Sequence, residues 1–340
     1  MLAYVIRRVV IGVVLLLAMS LVTFVLFFAS PIDPARFACG KSCAGNPVAL
    51  EAAKKSLGYD KPTIVQWSDF VQGVVVGRDF PADEQLREAA PEIVTHCAAP
   101  CLGYSVYNSK TINELIKGAL PISASVALMA ILLWLTGGVL FGVTAAVFRG
   151  TILDRGIVGA ALIFYAFPSF FIGTFLLRWV SIKWDIYPFP QYVAIADGGV
   201  FEWAKNLFLP ALTLALLYMA GYVRMTRAFV LESMSEDYVR TARAKGLPGR
   251  TVLFKHGLRA ALTPLVTMAG IDIASVLGGA IITESVFNYN GLGKLAVTAS
   301  QTFDLPTLVG LVILLGSFVI VANIIVDVLY AFIDPRVRVG

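Results

Sequence analysis

Six stretches of this 340-residue chain carry almost no charge: residues 9–29, 119–148, 156–177, 207–223, 260–283 and 305–333. Most reach the roughly 20 residues that a helix needs to cross bilayer hydrocarbon. Lipid offers the backbone no hydrogen-bonding partner, so each stretch is expected to satisfy its own bonds as a helix. With 14% charged residues and a mean hydropathy of +0.80, a soluble globular domain is excluded. The expected fold class is an all-α membrane protein with six transmembrane helices. The fourth stretch is short, and the aliphatic stems of Lys205 and Arg224 at its ends are expected to complete it by snorkelling. The first exceeds the roughly 7–15 apolar residues of a signal peptide and no A-x-A site follows it, so it is expected to remain as a helix.

Basic residues at the ends of these stretches set orientation. Arg7 and Arg8 precede the first, Arg149 and Arg155 join the second to the third, and a strongly basic segment joins the fourth to the fifth. Short loops rich in Arg and Lys stay on the cytoplasmic side. Six crossings then return the C-terminus, with Arg336 and Arg338, to the side of the N-terminus. The expected division is an N-terminal segment with the first span (1–29), an extracytoplasmic insert between spans one and two (30–110), a core with the other five spans (111–333) and a cytoplasmic tail (334–340). The net charge of +5 thus reports topology. No basic surface interleaved with aromatics points to nucleic acid, and the partner implied is the lipid bilayer.

Segment 30–110 is punctuated by prolines around two expected short helices, 47–57 and 62–76. It holds all four cysteines, spaced Cys39-x-x-x-Cys43 and Cys97-x-x-x-Cys101. Three pairings are open, and an oxidising exterior favours disulfides over a metal site built with His96. Two later outer loops, 180–206 and 285–303, carry Trp184, Tyr187, Phe189, Tyr192, Phe287 and Tyr289, expected as an interfacial aromatic belt.

The basic segment reads as helix, hinge and second helix. Ser233-x-x-Glu236 is a candidate capping box, Asp237 adds negative charge at a helix start, and Arg240, Arg243 and Lys245 lie toward its end. Gly246 is placed as a left-handed C-cap, Pro248 suits the first turn of the next helix, and Pro264 is expected to open the fifth span. Two readings fit: an amphipathic loop resting on anionic lipid, and a rigid knob shaped for another protein.

Residues 237–247, DYVRTARAKGL, resemble the cytoplasmic EAA loop of ABC-importer permeases in the form found in the dipeptide, oligopeptide and nickel group. The stretches MLAYVIRRVV (1–10), LGYDKPTIVQW (57–67), LGGAIITESVFNYNGLGKL (277–295) and ANIIVDVLYAFIDPRVR (322–338) resemble the B-type subunit of that group. The sequence departs from the pattern in keeping only Ala242 of the Glu-Ala-Ala, in Asn290 where proline is usual, and in Phe303 where arginine is usual. The cysteine-bearing pieces 37–47 and 83–104 look like insertions. The resemblance implies a type I ABC importer permease fold that forms the membrane path for di- or oligopeptides. It implies that loop 230–260 couples to a separate ATPase through Asp237, Tyr238, Arg240, Ala242, Arg243, Lys245, Gly246, Leu247 and Pro248. It also implies a second homologous permease subunit, two ABC ATPase subunits that bind the ATP and Mg, and an extracytoplasmic substrate-binding protein. Nickel complexes and other small solutes use the same permease type.

Motifs for chemistry are missing. NGLGKL at 290–295 lacks the first glycine and the hydroxyl of a Walker A loop, so no ATP hydrolysis and no cofactor are expected in this chain; Gly291 and Gly293 read as tight-turn glycines. There is no His-Glu-x-x-His or Gly-x-Ser-x-Gly, and no metal site is expected. Asp272 and Asp327 lie in apolar stretches, where a carboxylate is costly. An intramembrane aspartyl protease would need them as a coupled pair in Tyr-Asp and Gly-Leu-Gly-Asp contexts, yet Asp272 follows Ile271 and the Gly-Leu-Gly here precedes Lys294. Asp327, with Asn323 one turn earlier, is expected to bond a neighbouring helix. Asp272 either lines the path or bonds across the bundle. Glu284 resembles the family's acidic residue at the outer end of span five and is expected at a docking contact or the exterior gate. Gly137, Gly138, Gly142, Gly278, Gly279 and Ala280 are expected to let helices approach closely. A self-sufficient secondary transporter would show repeated halves and a coupling-ion site, and neither is evident.

Overall fold

The computed structural model describes residues 2–29, 33–39, 43 and 46–333. The chain starts with a long helix α1 (Leu2–Ala29), then α2 (Pro34–Cys39), α3 (Pro47–Leu57), α4 (Thr63–Val76), strand β1 (Arg78–Phe80), α5 (Glu84–Ala89) and strands β2 (Thr95–Cys97), β3 (Tyr104–Ser105) and β4 (Lys110–Thr111). Next come α6 (Ile112–Val147), α7 (Ile152–Ala166) and α8 (Ser169–Phe175), which continues through a wide π-type stretch, Leu176–Lys183. Then follow α9 (Ile195–Ser233), α10 (Asp237–Ala244), α11 (Gly249–Thr251), a second π-type stretch Val252–Leu258, α12 (Arg259–Phe287), α13 (Leu292–Gln301) and α14 (Leu305–Ile333).

Among the described residues α1, α6, α9 and α14 include helical runs long and apolar enough to cross a membrane, and α7 with α8 makes a fifth if that bent pair is one span. The remaining apolar stretch forms α12, part of whose side chains lie outside the described residues. The third apolar stretch is not the single straight helix that its hydropathy suggests. Its two halves meet at 104°. Pro168 has no N–H to donate and drives Phe167 into extended backbone (φ −90°, ψ 137°), which breaks the helix between them. The fourth stretch grows to 39 residues, with a break at Gly199 (φ 73°, ψ 174°), so its polar flanks are helical too.

The chain forms two compact units. The first takes residues 1–121 and 290–324. Here α1 lies so close to α14 that a Cβ on Gly12 would come within 2.6 Å of Ile320. The Trp67 indole N–H on α4 donates to Ser20 Oγ on α1 at 2.9 Å. The cysteines pair locally, Cys39 with Cys43 and Cys97 with Cys101. The all-α expectation needs correcting in this segment, because β1 pairs antiparallel with β2 and β3 with β4. Runs of two or three residues carry no readable alternation. What shapes the first pair is Gly77, at φ 87°, where a Cβ would sit 2.8 Å from the Cys97 carbonyl oxygen. A buried carboxylate, Asp304, accepts hydrogen bonds from Ser105 Oγ at 2.5 Å and Thr307 Oγ1 at 2.7 Å.

The second unit takes residues 122–289, with 325–333. Its core joins α6, α9 and α12 through Trp134, Leu207, Leu214, Tyr222, Leu265 and Phe287. Gly138 and Gly142 make the α6–α9 seam, as the small-residue pattern predicts: a Cβ at either would lie 2.5 Å from a side-chain carbon of Tyr222 or Thr226. The side-chain positions at Gly278 and Gly279 lie outside the described residues. The aromatic belt is realised only in part. Trp184 and Phe189 are exposed, whereas Phe287 and Tyr289 are buried, with Tyr289 Oη donating to the Asn206 carbonyl at 2.8 Å. Inside α9, Pro210 has no N–H to offer the Asn206 carbonyl one turn earlier, and Tyr289 supplies a donor there while Tyr187 donates to the Lys205 carbonyl.

Candidate functional site: the basic elbow

The α10 elbow follows directly from the end of α9. Its helix is amphipathic: Val239 is 0% and Ala242 5% exposed, packed on Val252 and Met234, while the other side chains face out. Two small apolar anchors three residues apart put both on one face of a single turn. Helix entry differs from the sequence reading. Ser233 is still the last residue of α9, and Glu236 occupies the N-cap in extended backbone with no side-chain cap bond. Ser233 Oγ instead donates to the Gly257 carbonyl at 2.9 Å, so its short contact with Tyr238 Oη, 2.6 Å, is a bond donated by the tyrosine. One buried hydroxyl thereby ties the end of α9, the start of α10 and the π-type stretch before α12. The helix did not restart at Ser233, because α9 had not ended.

The far end of α10 closes as expected. Gly246 is left-handed (φ 75°). Its N–H bonds the Arg243 carbonyl at 2.9 Å and the Leu247 N–H bonds that of Ala242 at 3.4 Å, the double bond pattern of a Schellman cap. Pro248 sits one residue earlier in the next helix than expected, at its N-cap (φ −64°, ψ 144°). Helical backbone then runs from Gly249 to Phe287. Pro264 therefore lies inside α12 and does not open it. A proline removes only its own N–H bond, which a helix already under way absorbs.

What remains outside is a basic surface with an apolar tip. Arg240, Arg243 and Lys245 are exposed, as are Leu247 and Tyr238. Arg240 pairs with Asp237 at 3.3 Å, but with side chains 72% and 95% exposed the pair contributes little. Two residues that the sequence reading passed over brace α9 near this end. Arg227 grips Asp154 at the start of α7 through two bonds, 2.7 and 2.8 Å, and the Gly150 N–H adds a third at 2.8 Å. This bidentate fork is the strong form of an ion pair. The only trace of it in the sequence is an arginine past the apolar part of a long helix, together with an acid just after a basic turn.

The bundle carboxylates are placed as follows. Asp272 accepts from Tyr222 Oη at 2.7 Å, so it bonds from α12 to α9. Glu284 is 1% exposed and accepts from Ser123 Oγ at 2.5 Å. It therefore faces α6; a carboxylate in such surroundings requires a donor, and Ser123 provides one. Asn323 is exposed, and the Asp327 side chain lies outside the described residues. Among the described residues no cluster of three His, Cys, Asp or Glu side chains could hold a metal.

Residues 138–339, which contain the elbow and both helices that it joins, match the family model of the binding-protein-dependent transport system inner membrane component. The chain belongs to that family. The model for the N-terminal part of such membrane components matches residues 1–127 of this chain. Over 343 residues it is 32% identical to the oligopeptide transport system permease protein AppB of Bacillus subtilis (strain 168), covering 99% of this chain and 100% of that one. Over 360 residues it is 31% identical to the dipeptide transport system permease protein DppB of Escherichia coli (strain K12), covering 99% of each. Family and apolar helices together make the chain a multi-pass membrane protein.

Proposed function

We propose that the chain is the permease subunit of an ATP-driven importer of di- or oligopeptides, forming the membrane path and hydrolysing nothing itself. In this reading α1, α6, α7 with α8, α9, α12 and α14 are six spans, segment 30–110 is outside, and both termini are cytoplasmic. The partners are a homologous second permease, two ATPase subunits that bind the ATP and Mg, and an exterior substrate-binding protein. Relatives named as dipeptide and oligopeptide permeases along the whole chain support the cargo class.

One observation carries the mechanism: the elbow is anchored by Val239 and Ala242 while Arg240, Arg243, Lys245 and Leu247 stay exposed to a partner. Movement of an ATPase seated on α10 passes through the Ser233–Tyr238–Gly257 knot into α9 and α12 together. A ligand shifts conformations only by its differential affinity, so uphill transport draws on that ATP-driven push. Co-purification tests it. An ATP-hydrolysing partner should accompany the wild-type chain in fixed stoichiometry and be lost on Gly246→Pro or Asp237→Lys. Purified chain alone moving solute down an ion gradient in liposomes would replace this reading with a secondary transporter.

A further inference from the structure

The unit built from residues 1–121 and 290–324 contains a cavity of about 400 Å³. Small-molecule pockets span about 300–1,000 Å³. Its two acids already have partners: Asp69 pairs with Lys61 at 2.7 Å and Asp79 bonds His96 Nδ1 at 2.6 Å. Its two arginines do not. Neither Arg78 nor Arg87 makes a side-chain hydrogen bond or ion pair among the described residues, and Arg78 Nε is buried without any partner. The charge left unanswered in this cavity is therefore positive.

Arg78 is also held in place. Its guanidinium lies over Phe80 at 4.9 Å and Phe70 at 5.7 Å from the ring centroids. Aromatic rings cover the flat faces of a guanidinium and leave its N–H edge for an acceptor in the same plane. Burial pushes the Arg78 guanidinium down to about 10, with the Asp69 charge opposing that shift from beyond hydrogen-bond reach, so it stays charged at neutral pH without an acceptor on its N–H edge. Burying such a group unpaired is unfavourable, and a planar anion that takes two N–H bonds relieves it.

We propose that this cavity is a binding site for a small carboxylate, its two oxygens on the Arg78 edge, Arg87 adding charge, and its apolar part against Phe80, Leu102 and Pro306. The carboxylate of a free solute and the acidic side chain of a docked protein share this chemistry. The volume, well beyond what one carboxyl group fills, assigns the site to the solute. The site does not depend on what drives transport, so its test can fail while the importer reading stands.

The test uses full-length chain in detergent, titrated calorimetrically with N-acetyl-alanylalanine and with its C-terminal amide. The acid should bind, with the amide at least tenfold weaker. Arg78→Gln should remove the preference, and Arg78→Lys, which keeps the charge without the fork, should retain part of it. If Arg78→Gln elutes as aggregate, Arg87→Gln and the acid-to-amide ratio of unaltered chain decide. Equal affinity for acid and amide, or no binding of either, overturns the proposal. So does equally tight binding of an amidated peptide whose only acids are internal Glu residues, because the site would then serve a docked chain.

Discussion

Glycine serves opposite purposes in the elbow and in the α6–α9 seam. At Gly246 the backbone is left-handed and a Cβ would meet nothing within 4 Å; at Gly138 and Gly142 the backbone is helical and a Cβ would land 2.5 Å from its neighbour. The elbow is fixed by a backbone conformation that leaves its surface open. The seam is fixed by contact that leaves no room. A docking element needs the first kind of definition and a helix bundle in lipid needs the second, where close backbone approach replaces the missing hydrophobic drive between helices.

Substitutions at the two places should therefore fail differently. Gly142→Leu carries the largest expected effect, about 3 kcal/mol of overpacking against Thr226 and the Val223 carbonyl, read as lost thermal stability in detergent. Thr226→Ala in the same chain should recover part of it; no recovery would mean that the glycine is not there for space. Asp154→Ala comes next, leaving Arg227 without its fork, and the melting temperature should fall less than for Gly142→Leu and more than for Asp154→Asn. Gly246→Ala should cost about 1–2 kcal/mol of local strain, the penalty of a left-handed residue with a Cβ. Hydrogen exchange should locate that loss at amides 244–247, with the seam unchanged. Asp237→Lys is expected to leave stability within error, since its ion pair is exposed, while abolishing ATPase partner recovery. If stability and partner recovery fell together in that variant, the contrast between the two regions would not hold.

Much of this was legible in the sequence. The bounds of α3 and α14 coincide with the expected 47–57 and 305–333, because proline and asparagine punctuation and a nearly charge-free run fix them locally. Gly246 was legible for the same reason. The 104° break was not read, although Pro168 stands in plain view, since hydropathy reports burial in lipid and carries no direction. Gly291 and Gly293 were read as turn residues, yet the left-handed residue beside them is Asn288 (φ 58°), while Gly291 is an N-cap and Gly293 is helical. The bonds of Asp272 to Tyr222 and of Glu284 to Ser123 join residues 50 and 161 positions apart, and no local pattern encodes such pairings. Arg78 escaped notice because an arginine in a polar segment looks solvated until the rings around it are placed.

The most direct test is where the elbow sits and what touches it. Arg243→Cys gives one free thiol in a chain whose native cysteines are all disulfide-bonded. In sealed native membranes, a maleimide–diazirine cross-linker should join that thiol to an ATP-hydrolysing subunit from the cytoplasmic face on irradiation, and Gly246→Pro should abolish the adduct. Reaction only from the extracytoplasmic face, with no protein adduct, would contradict the elbow as the seat of the motor.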